Sequence, residues 1–280
     1  MKEEDDSQYI LLDAQDNLNQ NNFERCIELC QTVLDNDPNN EVANILSAIG
    51  FHKLKQHQKA IELFEKFPDK TKSQSATWRW YALALFQAEE NDKAEIIFEQ
   101  LAEAYPEDGE VCYSFGYFRL FQKQYDHAIE LFNKSLATST IEMNLVYFNR
   151  GIAHYNLKDY NAALADMEQT IELEPEHAEA AAIIAEIYKI KGDFEKALEF
   201  YSRSLYYEPN NRKLRFSRLI YLINLKEEDG NIINHEMAQQ DADKLTPYMH
   251  EFITLTSKEG LPLIPIKIKI SETGSMDFEC

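Results

Sequence analysis

Small residues mark this chain at a fixed interval. Ala14, Ala48, Ala82, Gly116, Gly151 and Ala185 form one ladder, and Cys26, Ala60, Ala94, Ala128, Ala163 and Ala197 form a second, twelve residues downstream. Rungs recur every 34 residues, with one step of 35 before Gly151 and Ala163. A third ladder follows the second by four residues and, after Cys30, is bulky: Phe64, Phe98, Phe132, Met167 and Tyr201. Residues four apart share a helical face. Each period therefore predicts two helices that approach at the small rungs while the large residue fills the neighbouring gap. One helix pair cannot bury such a face alone, so the pattern demands a stack. Six periods cover residues 7–211. A seventh, over 212–245, is irregular: Leu219 stands where a small residue is due, and Ala238 arrives seven residues late, after Glu227, Glu228, Asp229 and Gly230. It is expected to be a degenerate terminal unit with a longer loop.

The clearest copies carry further detail. One reads Tyr147-Phe148-Asn149-Arg150-Gly151-Ile152-Ala153-His154-Tyr155, then Lys158-Asp159-Tyr160-Asn161-Ala162-Ala163-Leu164, and closes at Glu174-Pro175. The next has Ala185 and Tyr188, then Gly192-Asp193-Phe194-Glu195-Lys196-Ala197, and closes at Glu208-Pro209. Pro38, Pro106, Pro175 and Pro209 fall where one unit hands over to the next, since proline ends one helix and is tolerated in the first turn of another. In period and in these residues the chain resembles the tetratricopeptide repeat family, whose unit is a helix, a turn and an antiparallel helix. The resemblance spans most of the chain. It implies an all-α fold, a right-handed superhelical solenoid of antiparallel helix pairs running as one array over 7–245. An acidic tail at 1–6 precedes the array. Thr246 and Pro247, a good cap and a good first helical residue, open an expected capping helix within 246–260. An apolar tail at 261–280 follows.

Charge narrows the partners. The chain has 28 basic and 49 acidic residues, a net charge of −21, which argues against a sequence-independent grip on nucleic-acid phosphates. Acidic solvent faces also keep an extended repeat protein soluble. The basic cluster of Arg212, Lys213, Arg215 and Arg218 is expected to balance acidic neighbours. No apolar run approaches the roughly 20 residues that span a bilayer, and Met1-Lys2-Glu3-Glu4-Asp5-Asp6 begins no hydrophobic signal segment, so a cytoplasmic setting without membrane contact is expected. Cys26 and Cys30 lie on the core ladder, and Cys112 takes the place held by Trp78 and Tyr147, so these thiols read as small buried hydrophobes. The seven histidines follow no metal-ligand spacing, and neither a phosphate loop nor a nucleophile elbow is present. No metal, cofactor or enzymatic activity is expected.

The resemblance places function on the concave surface, lined by the first helix of each pair. By analogy with the family, residues three before and one, four and five after each small rung point there. In the middle units these are Arg79, Leu83, Phe86 and Gln87, then Tyr113, Tyr117, Leu120 and Phe121, then Phe148, Ile152, Tyr155 and Asn156. Trp80 and Asn149 stand along the wall. The result is an aromatic trough, although about half of its rings are expected to pack between adjacent helices and show only an edge. Co-chaperones of the family hold the terminal carboxylate of heat-shock chaperones with Lys and Asn in one unit, Asn in the next and Lys and Arg in the third. Asn149 fits the middle position, but Tyr113, Tyr117, Glu179 and Ile183 occupy the others, so that clamp is expected to be absent. A neutral or basic, apolar segment is the expected ligand, with Glu110, Glu179 and Glu186 available to a Lys or Arg.

The tail carries a different period. Ile264, Ile266, Ile268 and Ile270 alternate with Pro265, Lys267 and Lys269, which is strand periodicity. Nothing else reads as a strand, so the segment has no evident partner. It either folds back into the trough, adds to another protein's sheet edge, or stays disordered. Two functions follow from the whole. The first is a protein-interaction scaffold or adaptor that binds an extended or helical peptide segment in the trough. The second is an acidic cytoplasmic chaperone that shields an aggregation-prone or secreted client.

Overall fold

A computed structural model describes residues 2–66, 75–138, 142–224, 234, 236–245, 267–270 and 276–279. The periodicity predicts one array. The packing gathers the chain into two compact units, Met1–Asp159 and Tyr160–Cys280.

The first unit holds α1 (Lys2–Asn19), α2 (Phe23–Leu34), α3 (Glu41–Lys53), α4 (His57–Phe64), α5 (Ser75–Gln87), α6 (Asn91–Ala104), α7 (Gly109–Phe121), α8 (Tyr125–Thr138) and α9 (Met143–Asn156). Residues 2–6, expected as an acidic tail, are the first turns of α1 instead. Polar side chains cap the starts of α3 and α7. Asn40 accepts from the Ala43 amide, and Asp108 accepts from the amides of Glu110 and Val111, which satisfies donors that have no partner inside the helix. Between the helices of each pair the chain passes through a left-handed residue. Asn21, Lys55, Glu89, Lys123 and Lys158 all have φ between 60° and 64°, and the same place in the second unit is Gly192, at φ 78°.

That position suits glycine and five copies lack it. A left-handed L-residue costs about 1–2 kcal/mol, partly offset by the extra freedom glycine loses on folding. Glu89→Gly and Lys123→Gly are each expected to stabilise the first unit by up to about 1 kcal/mol. The check is a rise in the urea midpoint at constant slope.

The ladders form the core. In the first unit Ala14, Ala48, Ala82, Cys26, Ala60, Ala94 and Ala128 are wholly buried, and so are Cys30, Phe98 and Phe132. The approach is close at Gly116, where an added Cβ would lie 2.9 Å from Phe132 Cε1 and 3.3 Å from Leu131 Cβ. Phe98 stacks on Phe115 with centroids 5.5 Å apart, and buried Arg119 covers Phe115 while reaching Glu95 at 2.5 Å and Glu99 at 3.2 Å. Cys26, Cys30 and Cys112 are free and buried, as their ladder positions require.

The second unit holds α10 (Tyr160–Leu173), α11 (Ala178–Lys191), α12 (Phe194–Tyr207), α13 (Arg212–Asn224) and α14, over residues 236–245. Ala163, Ala185, Ala197, Met167 and Tyr201 are wholly buried. The irregular end reverses the ladder's volumes. Leu219, on the small rung, packs in one cluster with Ala238 and Ala242, and Ala242 holds the place of the large residue. Large and small have exchanged across the pair, which conserves volume.

Charge also holds this end together. Arg215 and Arg218 do not balance surface acids as expected from their sequence context. Both are buried on the fully buried Asp241 of α14, with Arg215 Nη1 at 2.9 Å, Arg218 Nε at 2.8 Å and Arg218 Nη2 at 2.8 Å from its oxygens. Their remaining donors reach the Pro209 carbonyl and the Ser202 hydroxyl.

The tail contains two strands, β1 (Lys267–Ile270) and β2 (Met276–Glu279), paired antiparallel. The expected strand thus has a partner within the tail itself. The backbone register pairs Lys267 with Glu279, Ile268 with Phe278, Lys269 with Asp277 and Ile270 with Met276, matching apolar with apolar and basic with acidic residue types at every step. The expected capping helix at 246–260 and the segment 261–266 lie outside the described residues.

Candidate functional site

The first helices of successive pairs, α3, α5, α7 and α9, lie side by side in the first unit. A groove of about 620 Å³ runs across them, lined by His52, Lys53, Arg79, Trp80, Leu83, Gln87, Glu110, Tyr113, Ser114, Tyr117, Glu142 and Leu145. Helical spacing explains this lining. Arg79 and Leu83 are four apart on α5, and Tyr113 and Tyr117 are four apart on α7, so each pair projects from one face.

The aromatic members form a connected run. Tyr113 and Tyr117 stack with centroids 6.4 Å apart, and Tyr117 lies 4.8 Å from Phe121 and 6.1 Å from Phe86. Phe86 sits edge-on to both Phe118 and Phe121, so it joins the core to the surface. Phe121 is 58% exposed, a large side chain left to solvent where the run ends. Burial, and then the neighbouring Tyr117 hydroxyl, pushes the Tyr113 phenol up to about 12, so it stays neutral in ordinary buffers.

Trp80 anchors the other side. Lys53 Nζ lies 4.5 Å and Arg79 Cζ 4.8 Å from its ring centroid, and the His52 ring is tilted against it at 5.6 Å. Such cation–aromatic contacts contribute about 0.5–2 kcal/mol each. Arg79 also pairs with Glu110 at 2.5 Å. Burial, followed by His57 and Lys53, drives the His52 imidazole down to about 4. His52 is therefore neutral near pH 7, and the positive charge here belongs to Lys53 and Arg79.

The structure brings together most of the residues expected in the trough and excludes some. Arg79, Trp80, Tyr113 and Tyr117 line the groove, and Phe86 and Phe121 extend its aromatic run. Phe148, Ile152 and Tyr155 are partly buried on α9 and are not among the lining residues. Asn149 is a correction. It is 7% exposed, and its amide donates to the Tyr113 hydroxyl at 3.0 Å and to the Leu145 carbonyl at 2.9 Å. Its amide nitrogen holds Tyr113, so the one clamp-like residue is committed internally on its donor side.

The acidic residues expected to meet a basic ligand are largely engaged as well. Glu110 holds Arg79, while Glu186, in the second unit, accepts from Tyr201 at 2.5 Å and Lys189 at 2.8 Å. Residues outside the expectation include His52, Lys53, Ser114, Glu142 and Leu145. His52 and Lys53 stand four and five after Ala48, so the rule that selects Phe86 and Gln87 finds them once it is applied one unit earlier. Among the described residues, no group of three or more His, Cys, Asp or Glu is placed to hold a metal ion, and no helix is long and apolar enough to cross a membrane.

Known proteins share this architecture. A family described as "Tetratricopeptide repeat" matches residues 148–211, and one described as "Psidin, N-terminal TPR repeats region" matches 13–139. BBSome complex member BBS4 of Bos taurus is 23% identical over 173 residues, covering 62% of this chain and 33% of that protein. The Hsp70-Hsp90 organizing protein of Triticum aestivum is 28% identical over 123 residues, covering 43% of this chain and 21% of its own length. The chain thus spans about a fifth to a third of these curated relatives. Among solved structures, the APC/C hetero-tetramer Cut9-Hcn1 aligns with a TM-score of 0.67 at 19% identity, over 74% of this chain and 41% of that one. The pilF protein of Pseudomonas aeruginosa aligns with a TM-score of 0.65 at 17% identity, over 78% of this chain and 99% of that one. These structures share the fold, the family matches cover both units, and the buried ladders supply the physical reason: the chain is a tetratricopeptide repeat protein.

Proposed function

We propose that this protein is a cytoplasmic, non-enzymatic interaction scaffold that binds an extended peptide segment of another protein in the groove across α3, α5, α7 and α9. The observation that carries the reading is the connected run from Tyr113 through Tyr117 to exposed Phe121, bordering a groove of about 620 Å³ that Trp80 also lines. Aromatic side chains with one apolar face and one polar edge are enriched where partners dock. The relatives include a BBSome complex member and an Hsp70-Hsp90 organizing protein, which accords with this reading.

Partner capture tests it. Tyr117→Ala with Phe121→Ala removes two rings from the run without touching a small rung or its filling residue. The doubly substituted protein is expected to keep its helical circular dichroism and to lose at least about tenfold in affinity for its partner, since two central aromatics commonly carry about 2 kcal/mol or more. Unchanged capture by a folded variant would move the site off the groove.

A further inference from the structure

Two charges in the groove are uncommitted, and they have opposite sign. Among the described residues Lys53 has no carboxylate partner; its ammonium rests on the Trp80 ring. The neighbouring Arg79 is paired with Glu110, and its buried Nε has no hydrogen-bond partner among the described residues. Burial, and then proximity to Arg79, pushes the Lys53 ammonium below its ordinary range, so an added anion there would be favoured. At the other border stands Glu142. It is exposed, it precedes the first residue of α9, and its carboxylate caps no amide. No described cation pairs with it.

Resting on the groove reading, we propose that the groove is polarised and selects a peptide segment carrying an acidic residue where it crosses Lys53 and Trp80 and a basic residue where it crosses Glu142, with apolar residues between. Arg79 with Glu110 contributes no net charge, and His52 is neutral, so these two termini set the sign at each end. Lys53 is on the first lining helix and Glu142 on the last. Three interhelical steps of about 8–10 Å set these two helices about 24–30 Å apart, which an extended chain of about seven to nine residues crosses. Leu83, Tyr113 and Tyr117, on the two helices between, suit apolar side chains. Opposite charges at the two ends also fix the direction in which the peptide lies, because reversing it sets like charge against like at both ends. This specificity differs from the uniformly basic or neutral ligand that the acidic composition implies.

Selection from a random twelve-residue phage-displayed library tests the assignment, using full-length protein, Lys53→Gln, Glu142→Gln and Tyr117→Ala. Peptides enriched on the wild type are expected to bear Asp or Glu toward one end and Lys or Arg toward the other. A synthetic copy of such a peptide should bind Lys53→Gln and Glu142→Gln about five- to tenfold more weakly by fluorescence anisotropy. Its neutralised-acid analogue should bind wild type and Lys53→Gln alike. Enriched peptides of uniform or no charge, or affinities indifferent to both substitutions but lost in Tyr117→Ala, would overturn the polarity while leaving the groove in place. Peptides that keep full affinity for Tyr117→Ala, or no enrichment at all, would overturn the groove reading and the polarity together.

Discussion

Replacing Asp241 with alanine is expected to cost the second unit about 3–5 kcal/mol, the usual penalty for removing one partner of a buried ion pair. Asp241 is fully buried and accepts three hydrogen bonds from two guanidinium groups that are themselves buried. Without it, Arg215 and Arg218 share a space of low polarity with no counter-charge among the described residues, where the Pro209 carbonyl and Ser202 hydroxyl are the acceptors that remain. An apolar substitute at all three positions has a different fate. Arg215→Met, Arg218→Met and Asp241→Leu together should recover most of the loss, because the desolvation cost of the ions disappears with them. The chain offers a convenient readout: both tryptophans, Trp78 and Trp80, are in the first unit. Asp241→Ala should lower the urea midpoint seen by far-ultraviolet circular dichroism while leaving the tryptophan fluorescence transition nearly in place. Equal stability of Asp241→Ala and wild type would show that the triad does not hold α14.

The second large effect concerns the ladder. Phe132→Ala should cost the first unit about 3–5 kcal/mol, since it removes a wholly buried ring from a rigid neighbourhood. Gly116→Leu should also destabilise it, by about 1–3 kcal/mol or more, because even a Cβ at Gly116 meets the Phe132 ring at 2.9 Å. The pair should behave differently from its parts. The protein already uses a leucine on the small rung and an alanine in the large position, at Leu219 and Ala242. Gly116→Leu combined with Phe132→Ala is therefore expected to be less destabilised than the sum of the single changes, with a coupling of about 1–3 kcal/mol. Tryptophan fluorescence against urea reads all four corners of the cycle. Strict additivity would mean that the two side chains do not share one space.

These effects show where the sequence was legible. The ladders were plain because close approach tolerates only Ala, Gly or Cys at one place per period, and burial of every described rung follows from that constraint. The volume exchange at Leu219 and Ala242 broke the rule at one rung and kept it across two, which a position-by-position reading records as degeneracy. Arg215 and Arg218 looked like surface charge, since their partner Asp241 is distant in sequence and follows the Glu227-Glu228-Asp229-Gly230 interruption of the repeat pattern. The strand pair illustrates a missed short signal. Met276-Asp277-Phe278-Glu279 alternates as regularly as the isoleucine run and carries acids opposite its lysines, but four residues are too few to stand out alone.

The groove was legible in part for a similar reason. Tyr113, Tyr117 and Trp80 were found because the repeat register fixes which positions face it. Lys53 and His52 follow the same rule in the preceding unit, where no aromatic trough draws attention to them. Asn149 obeyed the register and still faces inward, because its amide satisfies Tyr113 and the Leu145 carbonyl, a tertiary commitment that no single-residue rule contains.

Photocrosslinking tests the groove most directly. Benzoylphenylalanine replacing Tyr117 on α7 should form a covalent adduct with a partner protein in the native cell. The same group replacing Ile96, an exposed residue of α6 outside the groove lining, should not. Adducts confined to position 117 are the predicted result. Adducts at 96 with none at 117, from protein folded in both cases, would contradict the account.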